Sequence, residues 1–184
     1  MDYEKSRKFQ RILTQLKDNA IMELTFCDRE VSDDYYEKFQ EILANNTSLE
    51  CLTCSLFRSK AVTAIADALK LNSSLTSLNI VRDVNEYYIG YEGALLIAET
   101  LKMYSSLTSL TIRENKIGDM GVFAISEALK VNSFLTSLDL GDTFIRYEGA
   151  LAIAESLKVN STLTSLNMGR NYIPKEGASG KTRP

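Results

Sequence analysis

Histidine and tryptophan are missing from the 184 residues, and proline occurs only twice. Without histidine the commonest general base is gone, as is the nitrogen ligand of a Cys/His zinc site. Cysteine is scarce: Cys27, Cys51 and Cys54 are odd in number and lack metal-ligand spacing. That pattern fits a reducing compartment and argues against a disulfide framework. No stretch approaches the roughly 18–20 consecutive apolar residues of a membrane span, and the charged start MDYEKSRKFQ has no apolar core of a secretory signal. A net charge of −3 offers no basic stripe for a phosphate backbone. The expectation is a cytoplasmic chain with no metal, cofactor, nucleic acid or membrane partner.

Catalytic patterns are equally thin. Cys51 and Cys54 fall in an expected strand with no cationic neighbour in sequence to form a thiolate. Gly180-Lys181-Thr182 looks like the end of a phosphate loop, but Lys175 stands where its first glycine belongs. Glu92, Glu148 and Glu176 recur once per unit at expected helix starts, where they complement the helix dipole. The chain is read as a non-enzyme.

What is present is a repeat. Residues 135–162 read LTSLDLGDTFIRYEGALAIAESLKVNST, residues 107–134 read LTSLTIRENKIGDMGVFAISEALKVNSF, and residues 163–179 read LTSLNMGRNYIPKEGAS. Leu107, Leu135 and Leu163 are 28 residues apart, a fixed period that marks a stacked repeat. Further copies start at Ile21, Leu49 and Leu75, giving about five and a half units. The divisions are an N-terminal capping helix at 1–20, repeats over 21–177 and a flexible tail at 178–184. The cap has Phe9, Ile12, Leu13 and Leu16 on one helical face, as the open end of a solenoid requires.

Each unit opens with a short strand patterned LxxLxL, for example Leu75, Leu78, Ile80, with degenerate forms at Ile21, Leu24, Phe26 and Leu49, Leu52, Cys54. A helix follows, with Gly121, Ile125 and Leu129 inward in one copy and Ile153, Ala154 and Leu157 inward in the next. The copy at Leu75 carries about four extra residues near Val84–Tyr87, and the copy at Leu49 is about two short after Phe57. Asn46-Thr47-Ser48, Asn72-Ser73-Ser74 and Asn160-Ser161-Thr162 match the glycosylation triplet but read as helix-to-strand turns. In the last copy Pro174 and Gly177-Ala178-Ser179-Gly180 replace the helix. A disordered tail, a longer parent protein or another chain over this end would each account for that, including a weak dimer through the uncapped end rather than a monomer.

The consensus LTSLxLxxNxIGxxGAxxIAExLKxNSxL resembles the leucine-rich repeat of the ribonuclease-inhibitor subtype, over roughly residues 21–177. Related repeats occur in NOD-like receptors, Ran GTPase-activating proteins and tropomodulin-like actin cappers. The resemblance implies an α/β fold: a right-handed horseshoe solenoid with parallel strands on the concave face and helices on the convex face. The family's loop asparagine stands at Asn115 and Asn171 and is replaced by Thr143 and Asp83 in two other copies, which implies a less regular loop there. Ribonuclease inhibition does not fit a chain with three cysteines and no tryptophan. The acidic tail of the Ran activators is also missing from the end Lys181-Thr182-Arg183-Pro184.

The resemblance implies a protein partner and leaves two surfaces open. The concave face is small and polar, with a mixed-charge strip of Arg113, Glu114, Asp139, Asp142 and Arg170. The strand-to-helix loops hold Tyr88, Tyr91, Phe144, Tyr147 and Tyr172. Tyr88, Phe144 and Tyr172 share one place in the unit, with Lys116 interrupting the row. Stacking would align them along a rim that either binds a partner or covers the loops. The expected function is an adaptor, sensor or effector module, with a Ran-activator-like GTPase regulator or a tropomodulin-like actin capper as alternatives.

Overall fold

A computed structural model describes residues 3–27, 35–55, 59–82, 88–103 and 106–174. Among them six helices and six strands alternate: α1 (Tyr3–Lys17), β1 (Glu23–Cys27), α2 (Tyr36–Asn45), β2 (Cys51–Ser55), α3 (Ser59–Leu69), β3 (Ser77–Val81), α4 (Gly90–Met103), β4 (Ser109–Thr111), α5 (Gly118–Leu129), β5 (Ser137–Asp139), α6 (Tyr147–Leu157) and β6 (Ser165–Asn167). The strands form one sheet in chain order, each paired parallel to the next. Register places Leu24, Leu52, Leu78, Leu110, Leu138 and Leu166 side by side. The molecule is an α/β leucine-rich-repeat-type solenoid.

Its curvature follows from two spacings. Neighbouring strands lie about 4.8 Å apart, whereas packed helices need about 8–10 Å. A stack with one strand and one helix per unit therefore bends, with the sheet on its inner side. Between the layers the unit leucines are shut off from water: Leu75, Leu107 and Leu135 are fully buried, as are Leu78, Leu110, Ile112 and Leu140. Each such side chain contributes about 1.5–3 kcal/mol of transfer free energy. The polar residues alternating with them leave one face of the sheet open.

The end helix α1 closes this core at one end. Phe9, Ile12, Leu13 and Leu16 are all buried, and the Phe9 ring packs 6.2 Å from Phe26 and 5.9 Å from Phe39. The other end differs from the periodic expectation. Ile153 is buried, but Ala154 is exposed and Leu157 is 38% exposed, where the equivalent Leu129 is fully buried. Leu157 has the right position on its helix; what it lacks among the described residues is a following helix to press against. Leu163, Leu166 and Met168 are likewise only partly buried. The replaced last helix from Lys175, the tail at 178–184, the insertion near Val84–Tyr87, Asp83 and the shortening after Phe57 lie outside the described residues.

The turns from helix to strand are locked by asparagine. Asn72 donates from Nδ2 to the carbonyls of Leu43 at 2.7 Å and Asn46 at 2.9 Å, both in the preceding unit. Its Oδ1 accepts the N–H groups of Ser74 and Leu75. Asn46 does the same toward Leu16, Asn132 toward Leu101, and Asn160 toward Leu129 and Asn132. The glycosylation-like triplets at Asn46, Asn72 and Asn160 are thus turn residues with their amides engaged. Backbone groups that would otherwise be buried without partners are satisfied here one unit to the next.

Replacing Asn132 by alanine leaves the Leu101 carbonyl and two N–H groups without these bonds. We expect a loss of about 1–3 kcal/mol in urea denaturation. Asn45, whose amide only reaches Glu41 on the exposed face, serves as the control, and equal losses at both sites would remove the ladder as a stabilising element.

Candidate functional site

Each loop after β4, β5 and β6 begins in the left-handed region: Glu114 (φ 62°), Asp142 (φ 55°) and Arg170 (φ 59°). Two of these loops return to it at the next residue but one, Lys116 (φ 46°) and Phe144 (φ 67°). The residue between is the loop asparagine or its substitute. Asn115 donates to the carbonyls of Ile80 and Arg113, and its Oδ1 accepts the Ile89 N–H. Asn171 donates to Leu140 and Met168 and accepts from Thr143 and Ile145.

The Thr143 loop keeps the backbone turn of its neighbours but loses part of the side-chain spine. It has the same alternation of left-handed residues as the Asn115 loop. The Thr143 hydroxyl donates to the Leu140 carbonyl at 2.6 Å, and Asn171 of the next unit accepts the Thr143 and Ile145 N–H groups. The hydroxyl covers only the bond within its own loop. Among the described residues Thr143 makes no side-chain bond to the preceding unit of the kind Asn115 makes to Ile80 and Asn171 makes to Leu140, so the side-chain ladder skips a step here.

These loops hold the rim residues in a row. Phe144 and Tyr172 lie 5.4 Å apart, centroid to centroid, at 48°. The Lys116 ammonium sits 3.9 Å from the Tyr88 ring centroid and 5.7 Å from that of Phe144. Lys116 therefore links the rings it was expected to separate. Arg82, which the aromatic pattern alone gave no reason to include, sits 5.5 Å from the Tyr88 centroid on its guanidinium carbon. The column Arg82–Tyr88–Lys116–Phe144–Tyr172 crosses four units, and Phe144 and Tyr172 stay 38% and 61% exposed.

Tyr91 and Tyr147 are not in this column. Both lie in first turns of helices, α4 and α6, and are exposed; the Tyr91 hydroxyl donates to Glu92 at 3.3 Å. Glu92 and Glu148 occupy first turns as expected, whereas Glu176 and Gly180-Lys181-Thr182 lie outside the described residues. A carboxylate that the sequence reading missed caps a helix across units: Asp119 accepts the Arg146 and Gly149 N–H groups at 2.8 and 3.1 Å. Gly149 leaves room for it, since a Cβ there would collide with the Asp119 carboxylate. The signal was an acid 28 residues before the helix start at Tyr147, a relation visible only across the period.

The mixed-charge strip divides. Arg113 pairs with its neighbour Glu114 at 3.3 Å, and its stem lies over Gly141. Asp139 lies on the open, concave face of the sheet, where its Oδ1 accepts the Gly141 N–H at 2.8 Å and the Asn167 amide at 3.0 Å. Glu114, Asp142 and Arg170 instead sit in the left-handed turns, closer to the rim. Cys51 and Cys54 fall in β2 as expected, with Cys54 buried. Among the described residues no cluster of histidine, cysteine or carboxylate side chains could hold a metal ion, and no helix is long and apolar enough to cross a membrane.

A double-mutant cycle tests the cation–ring link. Lys116→Met combined with Tyr88→Leu should show a coupling of about 0.5–1 kcal/mol in chemical denaturation, and strictly additive losses would count against it.

The geometry agrees with what known proteins show. The family model for the leucine rich repeat matches residues 105–126, 131–154 and 159–180. No curated protein matches the sequence. Among solved structures, the leiomodin-1 actin-binding site 2 is similar with a TM-score of 0.63 and 24% identity, over 82% of this chain and 87% of that one. The C-terminal domain of tropomodulin from Caenorhabditis elegans is similar with a TM-score of 0.64 and 14% identity, over 81% and 90% of the two chains. At these identities the likeness is one of fold. The chain carries leucine-rich repeats stacked as an α/β solenoid.

Proposed function

We propose that this protein is a protein–protein interaction module, an adaptor, sensor or effector that holds its partner through the strand-to-helix rim and the adjoining concave strip. The observation that carries the reading is the column Tyr88–Lys116–Phe144–Tyr172, half-buried at Tyr88 and exposed from Lys116 on, with a cation seated between rings. Tyrosine and arginine are the side chains that most often anchor interfaces, and a column fixed by left-handed turns is ordered before a partner arrives, which lowers the cost of association. Tyr91 and Tyr147 extend the aromatic edge onto the helices. Arg113, Glu114, Asp139, Asp142 and Arg170 supply charge beside it, suited to orientation and on-rate more than affinity.

The same reading takes the repeats as the ribonuclease-inhibitor subtype, on the strength of their 28-residue period and full helices. It takes residues 1–20 as the cap, 21–177 as repeats and 178–184 as tail. It takes the chain as a non-enzyme of the cytoplasm, a monomer or a weak dimer. The concave residues being small and internally paired supports the absence of catalysis; the scarcity of cysteine supports the compartment.

The test is affinity capture with the wild type beside a Tyr88→Ala, Phe144→Ala, Tyr172→Ala variant whose fold is checked by circular dichroism. We expect a partner that the variant retains at least tenfold less. A variant that melts earlier yet keeps every partner would mean that the rings serve only to cover their loops.

One second reading has an observation behind it. The structural likeness spans most of a domain described as an actin-binding site, so filamentous actin is the first defined partner to try. Cosedimentation that is saturable and weakened in the rim variant is the expected outcome of that reading, and a chain that stays in the supernatant at tens of micromolar would dispose of it. No observation favours the GTPase-regulator alternative.

A further inference from the structure

The convex face carries a second surface, independent of the rim and of the concave strip. Leu95, Phe123 and Leu151 occupy one position on the successive helices α4, α5 and α6, two residues after Gly93, Gly121 and Gly149. They are 43%, 39% and 43% exposed. One turn earlier stand Tyr91, Met120 and Tyr147, more exposed still at 53%, 67% and 52%. Residues three or four apart share a helix face, so the six side chains make a band across three helices. The helices are close beneath it, because a Cβ on Gly121 would lie 2.9 Å from that of Ala94.

Singly exposed apolar residues need no explanation, but a contiguous band does. The repeat itself does not demand this one. The equivalent position is Glu37 in α2 and Thr63 in α3, so a unit stacks equally well with a polar residue there. The apolar character begins at α4 and persists for three units.

Charge around the band points to what covers it. Glu92 and Glu148 border one side, and Glu99, Glu127 and Glu155 border the other, one turn beyond the central row. The Lys130–Glu127 and Lys158–Glu155 pairs are solvent-exposed, where such pairs hold weakly and exchange partners readily. An apolar band between two acidic borders suits a partner that is apolar along its centre and basic along its flanks. A second copy would set carboxylates against carboxylates, and an anionic lipid surface would be repelled by them.

Spacing selects the partner's secondary structure. Packed helices lie about 8–10 Å apart, and seven residues of helix span about 10.5 Å. Apolar residues at i, i+7 and i+14 of one crossing helix therefore reach Leu95, Phe123 and Leu151 in turn. We propose that the convex faces of α4, α5 and α6 dock a basic amphipathic helix of a partner protein, laid across the three helices with an apolar residue on each.

The probe is a dye-labelled 21-residue helical peptide with leucines along one face and lysines on its flanks, titrated with the full chain by fluorescence anisotropy. A scrambled peptide and one with every lysine replaced by glutamate are the comparisons. The lysine peptide should bind, and both others should bind at least tenfold more weakly. Phe123→Ser should cost at least tenfold. The variant Glu99→Lys, Glu127→Lys, Glu155→Lys keeps the apolar band and alters only exposed residues, and it should reverse the preference toward the glutamate peptide. Equal binding of the scrambled peptide, or an unchanged preference in the charge-reversed variant, would overturn the proposal. So would a wild-type dimer in sedimentation velocity that Phe123→Ser makes monomeric, which would assign the face to a second copy. Flotation with anionic vesicles would overturn it in favour of a membrane.

Discussion

The structure depends on backbone groups of one unit being satisfied by side chains of the next. A leucine core can be stacked in more than one register, since burial is non-directional. The asparagine turns are directional. Asn46, Asn72, Asn132 and Asn160 each donate backward to carbonyls of the preceding unit while accepting N–H groups within their own turn. The loop pair Asn115 and Asn171 repeats the arrangement at the other edge of the sheet, reaching back to Ile80 and Leu140. A one-residue slip would break both ladders together. The alignment of rim residues and of convex residues follows from that lock, because any column of side chains is only as regular as the units carrying it.

The parts of the fold that repeat could be read from the chain. Leu107, Leu135 and Leu163 fix the phase, and the phase alone places Tyr88, Phe144 and Tyr172 in one column. Parts that depend on a neighbour could not be read so directly. Periodicity puts Leu157 on the inner face of α6, correctly, but whether an inner face is buried depends on the next helix. A pattern of rings makes Lys116 look like a gap, because the attraction between an ammonium and a ring face is electrostatic and leaves no trace in a hydrophobic pattern. Thr143 is a missing step in the side-chain ladder, yet its loop keeps the left-handed turns, with its own N–H held by Asn171 of the next copy. Leu95, Phe123 and Leu151 were invisible for a related reason. Read along each helix they are ordinary exposed residues, and only a comparison down the column, against Glu37 and Thr63, makes them stand out.

The three faces differ in how far their polar groups are already committed. On the concave face Asp139 accepts from Gly141 and Asn167, and Asn167 in turn accepts from Gly169. A ligand there would have to better existing bonds, each with a net value of about 0.5–1.5 kcal/mol. At the rim and on the convex face most of the exposed area is ring and aliphatic surface, whose burial gains free energy while leaving most existing bonds in place. Beside the convex band, Glu127 and Glu155 are paired with exposed lysines and can be taken over by a partner's cations with little loss.

That difference bears on how the faces could work together. The rim lies on loops at one edge of the sheet and the convex band lies on the N-terminal halves of α4, α5 and α6, which those loops lead into. Asp119 ties one to the other: it sits in the first turn of α5 and caps α6 by accepting the Arg146 and Gly149 N–H groups, with the exposed Tyr147 between them. A partner that shifted α5 against α6 at the convex band would disturb the loop that positions Phe144. Coupling between sites requires a physical element that both of them bias, and this inter-unit cap stands between the two in the chain, with Phe144 two residues before Arg146 and Leu151 two residues after Gly149.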